Sequence, residues 1–100
     1  MKTYLSELAE SQLLDLLDYL IYKWGVKVRD NFLTKLDLKI KQISKHPYSC
    51  PESKEFGNLF KCVVTKQTTF FYRVDKEQEE IEIITVFDTR RDPENRNLVE

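Results

Sequence analysis

The sequence predicts a single α+β domain with the element order β-α-α-β-β-β, in which a helical hairpin packs on one face of an antiparallel sheet. Apolar residues recur with the helical period of 3.6 over residues 6–46, and the alternation typical of strands replaces that period after residue 58. The chain has 100 residues, which is enough for one hydrophobic core. We therefore treat residues 1–100 as one domain.

The first helix is predicted to follow a short β-prone segment, residues 3–5. Ser6 is a typical N-cap residue, and Glu7 and Glu10 complement the positive end of the helix dipole. One apolar face then follows the helical spacing: Leu13, Leu16, Leu17, Leu20, Ile21 and Trp24. Gly25 offers a left-handed C-terminal position, so the helix should end near Trp24.

A second amphipathic helix is predicted from Val26 to the residue before Pro47. Its apolar stripe is Phe32, Leu33, Leu36, Ile40 and Ile43, and lysines occupy the other side. Pro47 ends the helix because proline cannot continue the hydrogen-bond ladder. With little more than Gly25 as a connection, the two helices should form an antiparallel hairpin.

The rest of the chain predicts a loop followed by a three-stranded meander. Residues 47–58 contain the turn formers of the loop. The strands are predicted at residues 59–66, 69–75 and 81–88. Short connections make these strands pair as hairpins, whereas the opening segment can join the sheet only by a crossover. Residues 94–100 are expected to be frayed or to form a short last turn.

Alternation along the second meander strand predicts which residues meet the helices. The expected core joins Leu13, Leu17, Leu20, Trp24, Phe32, Leu36 and Ile40 to Phe70, Tyr72 and Val74. Arg73 lies out of phase with these strand residues, so it should stand on the open face of the sheet.

Charge and hydropathy limit the classes of function. The net charge is -1, which removes a simple electrostatic argument for nucleic-acid binding. Basic residues are nevertheless concentrated in residues 26–46 and 59–76, and acidic residues in residues 77–100. No apolar stretch is long enough to cross a bilayer, and residues 1–11 lack the apolar core of a secretion signal. We expect a cytoplasmic protein with no membrane partner.

No pattern of residues predicts a metal site or a small-molecule cofactor. Cys50 and Cys62 permit one disulfide by count, but without a secretion signal free thiols are expected. His46 with these cysteines lacks the spacing of a zinc site, and its place at a helix end indicates capping rather than catalysis. Gly25 and Gly57 are isolated, so no phosphate-binding loop is present.

Two arginines follow the last predicted strand. Arg90 and Arg91 could bind a phosphate or carboxylate of a partner, but Asp88 and Asp92 flank them and could form structural ion pairs. Both interpretations remain open at the level of the sequence.

Taken in order, these segments resemble the RelE/ParE family of type II toxin-antitoxin toxins, also called plasmid-stabilisation proteins. The resemblance covers nearly the whole chain and includes LSELA at residues 5–9, YLIYKWG at 19–25 and the stop at Pro47. FKCVVTKQTTFFYRV at residues 60–74 and VFDTRRDP at 86–93 are its most specific parts. The resemblance implies the RelE/ParE toxin fold and a growth-inhibiting toxin neutralised by a cognate antitoxin.

The resemblance implies two alternative targets. RelE-like members cut messenger RNA on the translating ribosome with basic residues of the open face, whereas ParE-like members poison DNA gyrase without being enzymes. The residues that would serve RNA cleavage here are Lys61, Arg73 and Arg90.

The chain departs from the ribonuclease pattern. Lys61 and Lys66 are five residues apart, so their side chains should point to opposite faces if both lie in one regular strand. Thr69 occupies the place of an expected arginine, and no Tyr or His follows Tyr72. An incomplete cation cluster would stabilise the transition state poorly, which favours the ParE-like interpretation. A third possibility is a toxin-derived binding domain that has lost toxicity.

The antitoxin is expected on the open face and its basic rim. Arg73, Arg90 and Arg91 are the predicted partner-binding residues, because an acidic disordered segment could gain charge-assisted hydrogen bonds there and add to an edge strand.

Overall fold

A computed structural model describes residues 1–90 of the protein and confirms the predicted element order. The elements are β1 (Lys2–Leu5), α1 (Glu7–Trp24), α2 (Val26–Lys45), β2 (Phe60–Val63), β3 (Thr68–Asp75) and β4 (Glu80–Asp88). Arg91 and the end predicted for residues 94–100 lie outside the described residues.

Local capping explains where both helices begin and end. The Ser6 hydroxyl accepts a hydrogen bond from the Ala9 amide at 3.0 Å, which begins α1. Gly25 has a φ of 95°, a conformation that side chains disfavour, and separates the two helices as a single residue. α2 ends where the His46 amide donates to the Gln42 carbonyl at 2.8 Å, directly before Pro47. Within residues 1–90, neither helix is apolar enough over its length to span a membrane.

The sheet is mixed, with the strand order β1-β4-β3-β2. β2, β3 and β4 form the predicted antiparallel meander, and β1 pairs in parallel with β4. β1 and β4 can pair in parallel because the connection between them includes the helical hairpin, which crosses over the sheet, and is not a tight turn.

A bulge in β4 fixes α1 on the sheet. Phe71 pairs with Thr85 and Tyr72 with Ile83, so the ladder passes over Ile84. The Ser6 hydroxyl donates to the Ile84 carbonyl at 2.7 Å. Six residues beyond Ser6, in α1, the Gln12 side-chain carbonyl accepts from the Val86 amide at 2.8 Å and lies 3.0 Å from the Thr85 hydroxyl.

The core lies between the helices and one face of the sheet. Of the predicted core residues, Leu20, Phe32, Leu36, Phe70 and Tyr72 are buried, and Leu13, Leu17, Ile40 and Val74 pack against them. Trp24 is 50% exposed, so its assignment to the core is wrong. As the last residue of α1, it lies at the end of the hairpin, and Leu16 and Ile43 are buried instead.

β2 is shorter than the sequence predicts. It ends at Val63, and residues 64–67 form a turn in which the Thr68 carbonyl accepts from the Val64 amide at 2.9 Å. Lys66 therefore lies in this turn, and the expectation that it shares a regular strand with Lys61 is wrong.

Candidate functional site

Two of the predicted cations share the face of the sheet that points away from the helices, which we call the open face. Phe70 and Tyr72 belong to the core beneath the helices, so Phe71 and Arg73 point the other way. Lys61 pairs with Phe71 in the neighbouring strand and projects to the same side. The open face therefore carries Lys61 and Arg73 on either side of an aromatic ring.

An aromatic cluster from the long loop covers part of the open face. Phe71 has 0% exposure. The Phe56 ring meets the Phe71 ring edge to face at a centroid distance of 5.4 Å, and the Phe87 ring lies 6.2 Å from it. Within the loop, the Phe56 amide donates to the Ser53 hydroxyl at 3.0 Å, and the Ser53 amide donates to the Leu59 carbonyl at 2.8 Å next to β2. The sequence does offer one sign of this contact: Phe71 alternates with the core residues of β3, so a large aromatic side chain falls on the open face and needs a covering group.

Arg73 already has an anionic partner. One guanidinium nitrogen lies 2.5 Å from a carboxylate oxygen of Glu82, its direct neighbour across the β3–β4 pair. The Arg73 side chain is 57% exposed. Such an exposed pair contributes little to stability, so an incoming carboxylate could compete for this guanidinium at low energetic cost.

Arg90 is bound more firmly to Asp88. Guanidinium nitrogens contact the two carboxylate oxygens at 3.1 and 2.8 Å, and the Arg90 amide donates to the same carboxylate at 2.8 Å. The buried Thr68 hydroxyl also hydrogen bonds to Asp88. Burial opposes ionisation of Asp88, but the hydrogen bonds from Arg90 and Thr68 outweigh it, and the pKa of the carboxyl lies below its ordinary value.

Arg90 lies on the helix side of the sheet rather than on the open face. Its guanidinium carbon is 5.6 Å from the centroid of the Trp24 ring, a cation–π distance. The Tyr19 hydroxyl donates to the Arg90 carbonyl at 3.3 Å. A groove of about 240 Å³ next to Arg90 is lined on its other side by α2, including Lys35.

The structure thus divides the residues that the sequence assigned to RNA cleavage. Lys61 and Arg73 share the open face, whereas Arg90 lies on the helix side of the sheet, next to Trp24. The Tyr72 hydroxyl is unsuited to act as a proton donor, since it is buried and donates to the Pro47 carbonyl at 2.7 Å. Burial also raises its pKa above the ordinary value for tyrosine.

Backbone groups at both edges of the sheet are partly occupied. Beside β2, the Lys61 amide donates to the Pro51 carbonyl at 2.9 Å, and the Ser53 amide donates to the Leu59 carbonyl at 2.8 Å. Beside β1, the Met1 amine donates to the Ser44 carbonyl at 2.7 Å. A partner strand could therefore pair along β2 only beyond residue 61 unless the loop moved.

Sequence reasoning missed three residues that define this site. The sequence gives no role to Glu82 or Phe56, and it places Trp24 in the core. Their contacts depend on strand register and on the path of the loop. The register also depends on the bulge, for which the sequence carries no glycine or proline signal.

Comparisons with known proteins agree on the fold. A family model described as "ParE toxin of type II toxin-antitoxin system, parDE" matches residues 4–93. A chain of the chromosomal ParDE system from P. aeruginosa superposes with a TM-score of 0.73 at 13% identity, covering 88% of this chain and 95% of that one. No curated protein matches.

Two further solved structures are similar. The YoeB/ParE toxin from Agrobacterium tumefaciens has a TM-score of 0.63 at 15% identity, covering 88% of this chain and 98% of that chain. A chain of the intact E. coli RelBE toxin-antitoxin complex has a TM-score of 0.59 at 17% identity, with coverages of 87% and 94%. At these identities the structures show a common fold.

Proposed function

The chain belongs to the ParE toxin family of type II toxin-antitoxin systems, and from this membership we propose that it arrests growth by a ParE-like action on DNA gyrase rather than by cutting RNA. A cognate antitoxin neutralises it by binding. The protein in this proposal is a binding poison, and its surface rather than a catalytic cluster determines its action.

The separation of the three cations carries this proposal. Phosphodiester cleavage gains most from positive groups aimed together at the charge that develops in the transition state. Here Arg90 is bound to Asp88 on the helix side, and Arg73 is bound to Glu82 on the open face. Lys61 is the one cation of the three that forms no ion pair within residues 1–90. A single lysine is a weak basis for catalysis.

Ribosome-dependent RNA cleavage is the second candidate, and one observation favours it. Lys61 and Arg73 project from the same face of neighbouring strands. The Arg73 side chain is more than half exposed, so its ion pair with Glu82 could open when a phosphate approaches.

We also propose where the antitoxin binds. Arg73 and Lys61 offer cations on the open face, beside the exposed apolar side chains of Val63 and Phe56. An acidic and apolar segment would find both charge partners and apolar surface to bury there. Arg90 should contribute less than Arg73, because Asp88 already satisfies its guanidinium.

Induced expression with and without the antitoxin tests the proposed function. We expect growth arrest with accumulation of DNA breaks, relieved by co-expression of the antitoxin. In a purified reaction, the protein should cause gyrase to leave linear plasmid DNA after protein denaturation. Phe70→Ala, a core variant expected to be destabilised, serves as the control for loss of the fold.

Messenger RNA cleavage is scored in the same cultures. Codon-dependent cleavage on ribosomes that disappears in Lys61→Ala or Arg73→Ala would replace the gyrase proposal with the ribonuclease. Normal growth and intact DNA in the presence of folded protein would identify a toxin-derived binding domain without toxicity.

A further inference from the structure

The two cysteines lie two residues outside an isolated antiparallel bridge, with Cys50 in a bend of the loop and Cys62 in β2. Glu52 forms an antiparallel bridge with Phe60, and the flanking backbone bonds join residue 61 to residue 51 and residue 53 to residue 59. Continuing this register by two residues places Cys50 opposite Cys62. Because the flanking bonds surround Glu52 and Phe60 without joining them, the cysteine pair also falls at a position where opposed side chains come closest.

This register is compatible with the geometry of a disulfide. Opposed residues at such positions have Cα atoms about 4.5 Å apart, and disulfides span about 4.4 to 6.8 Å between Cα atoms. Both thiols are free, and both line one groove. Pro51 has no amide hydrogen, so it cannot donate a second backbone hydrogen bond back to Lys61. The backbone pairing between the cysteines and the bridge is therefore a single hydrogen bond.

The two sulfurs differ in exposure and in acidity. Cys50 is partly exposed and Cys62 is 1% exposed. The hydrogen bond from Cys62, helped by Tyr72, Ser49 and the charge of Lys39, lowers the pKa of Cys50 to about 6 against the opposing effect of burial. The pKa of Cys62 is raised, first by its hydrogen bond with Cys50 and then by burial. Cys50 is thus suited to react first.

A groove gives small reagents access to this pair. Its volume is about 380 Å³, and it is lined by both cysteines and by Lys39, Gln42 and Lys61. The groove lies between the end of α2 and the β2 edge, away from the Arg90 and Trp24 contact.

We propose that Cys50 and Cys62 form a redox-active dithiol, which a hydroperoxide converts into an intramolecular disulfide that links the 47–58 loop to β2. The Cys50 thiolate attacks the peroxide, the O–O bond breaks, and water leaves with one added proton to give a sulfenic acid. The Cys62 sulfur then attacks the Cys50 sulfur, the S–O bond breaks, and the Cys62 proton leaves with hydroxide as a second water. Two thiols are oxidised by two electrons, and one hydrogen peroxide is reduced to two waters.

The purified full chain tests this proposal, first reduced with dithiothreitol and then treated with hydrogen peroxide under native conditions. We expect an intact mass lower by two hydrogens, a monomer on a non-reducing gel, and a peptide that joins the two cysteines after digestion. Treatment with dithiothreitol should restore the mass. Closing this loop should raise the Tm of the oxidised form by roughly 5 °C or more.

Two single variants separate the roles of the cysteines. Cys62→Ala should leave Cys50 as a sulfenic acid that dimedone traps, since the resolving thiol is gone. Cys50→Ser should leave Cys62 unmodified by peroxide and by iodoacetamide until denaturant is added. Thermal melts of both reduced variants establish that they are folded.

Several results would overturn the proposal. One is a disulfide that joins two wild-type chains instead of two cysteines of the same chain. Another is oxidation of Cys50 to a sulfenic acid while the Cys62 thiol remains. The third is a disulfide that forms only in denaturant. None of these readouts depends on toxicity, so the dithiol and the proposed function fail or succeed separately.

Discussion

Arg90 contacts both carboxylate oxygens of Asp88, and the Asp88 side chain is 2% exposed. The acid is therefore almost removed from water while its partner remains partly solvated. A buried charge is costly when its partner is lost, so breaking this pair should destabilise the end of β4 more than breaking an exposed ion pair would.

Asp88→Asn should lower the free energy of unfolding by about 2 kcal/mol, because the guanidinium of Arg90 loses its charge partner and Thr68 loses an anionic acceptor. Asp37→Asn is the matched control, since Asp37 pairs with Lys41 at an exposed site on α2. The control should change stability by less than about 0.5 kcal/mol. Urea denaturation measures both, and equal losses would contradict the distinction between the two pairs.

The same carboxylate should make the protein sensitive to acid. The folded pKa of Asp88 lies below its ordinary value of 3.8, so ionised Asp88 stabilises the fold above that value. This contribution should be lost as the pH falls through the folded pKa. Denaturant midpoints measured from pH 7 downward should fall less steeply below about pH 4 in Asp88→Asn than in the wild type. Parallel curves would show that other carboxyl groups govern the acid response.

Trp24 is the sole tryptophan, which makes its contact with Arg90 visible by fluorescence. Arg90→Ala should shift the emission to longer wavelength and increase quenching by acrylamide, since the ring loses the guanidinium that covers it. Arg73→Ala removes the same group from the open face and should leave the spectrum unchanged. An unchanged spectrum in Arg90→Ala would exclude this contact in solution.

Packing of α2 on the sheet gives a further comparison. Leu36 is 5% exposed, and Leu38, two residues along the same helix, is 62% exposed. Leu36→Ala should cost roughly 2 to 5 kcal/mol through the cavity it leaves, and Phe70→Ala should cost a similar amount. Leu38→Ala should change stability little. If urea midpoints fell equally for Leu36→Ala and Leu38→Ala, the orientation of α2 would be wrong.

Antitoxin binding should respond to charge on the open face. Arg73→Glu should slow association and weaken affinity for an acidic antitoxin segment, and salt should affect the variant less than the wild type. Lys41→Glu makes the same charge change on α2 and is the control. Stopped-flow kinetics and a melting curve on each sample separate a binding defect from a folding defect. Unchanged affinity in folded Arg73→Glu would remove this surface from the interface.

The order of helices and strands could be predicted from the sequence because each element is marked by residue patterns within its own segment. The helical stripe, the Ser6 cap, Gly25 and Pro47 define the two helices without reference to the rest of the chain. Alternation in β3 likewise separates Phe70 and Tyr72 from Arg73. These signals depend on backbone geometry within a few residues.

The candidate site depended on relations between distant segments. The ion pair of Arg73 with Glu82 requires the register of β3 against β4, and that register shifts at the bulge. Trp24 follows the apolar stripe but lies at the end of α1, where it meets Arg90 from the far end of β4 instead of the core. The pairing of Arg90 with Asp88 was one of two interpretations left open by their sequence proximity.

The loop beside β2 also has a consequence for how copies of this chain meet one another. An uncovered strand edge invites the same edge of a second copy, and repeated pairing of this kind leads to polymers. Residues 51–53 cover the outer side of β2 at residues 59–61, where their backbone bonds to Lys61 and Leu59 occupy the edge. Self-association through residues 59–61 therefore requires the loop to move first, and a second copy meets a free edge only beyond residue 61.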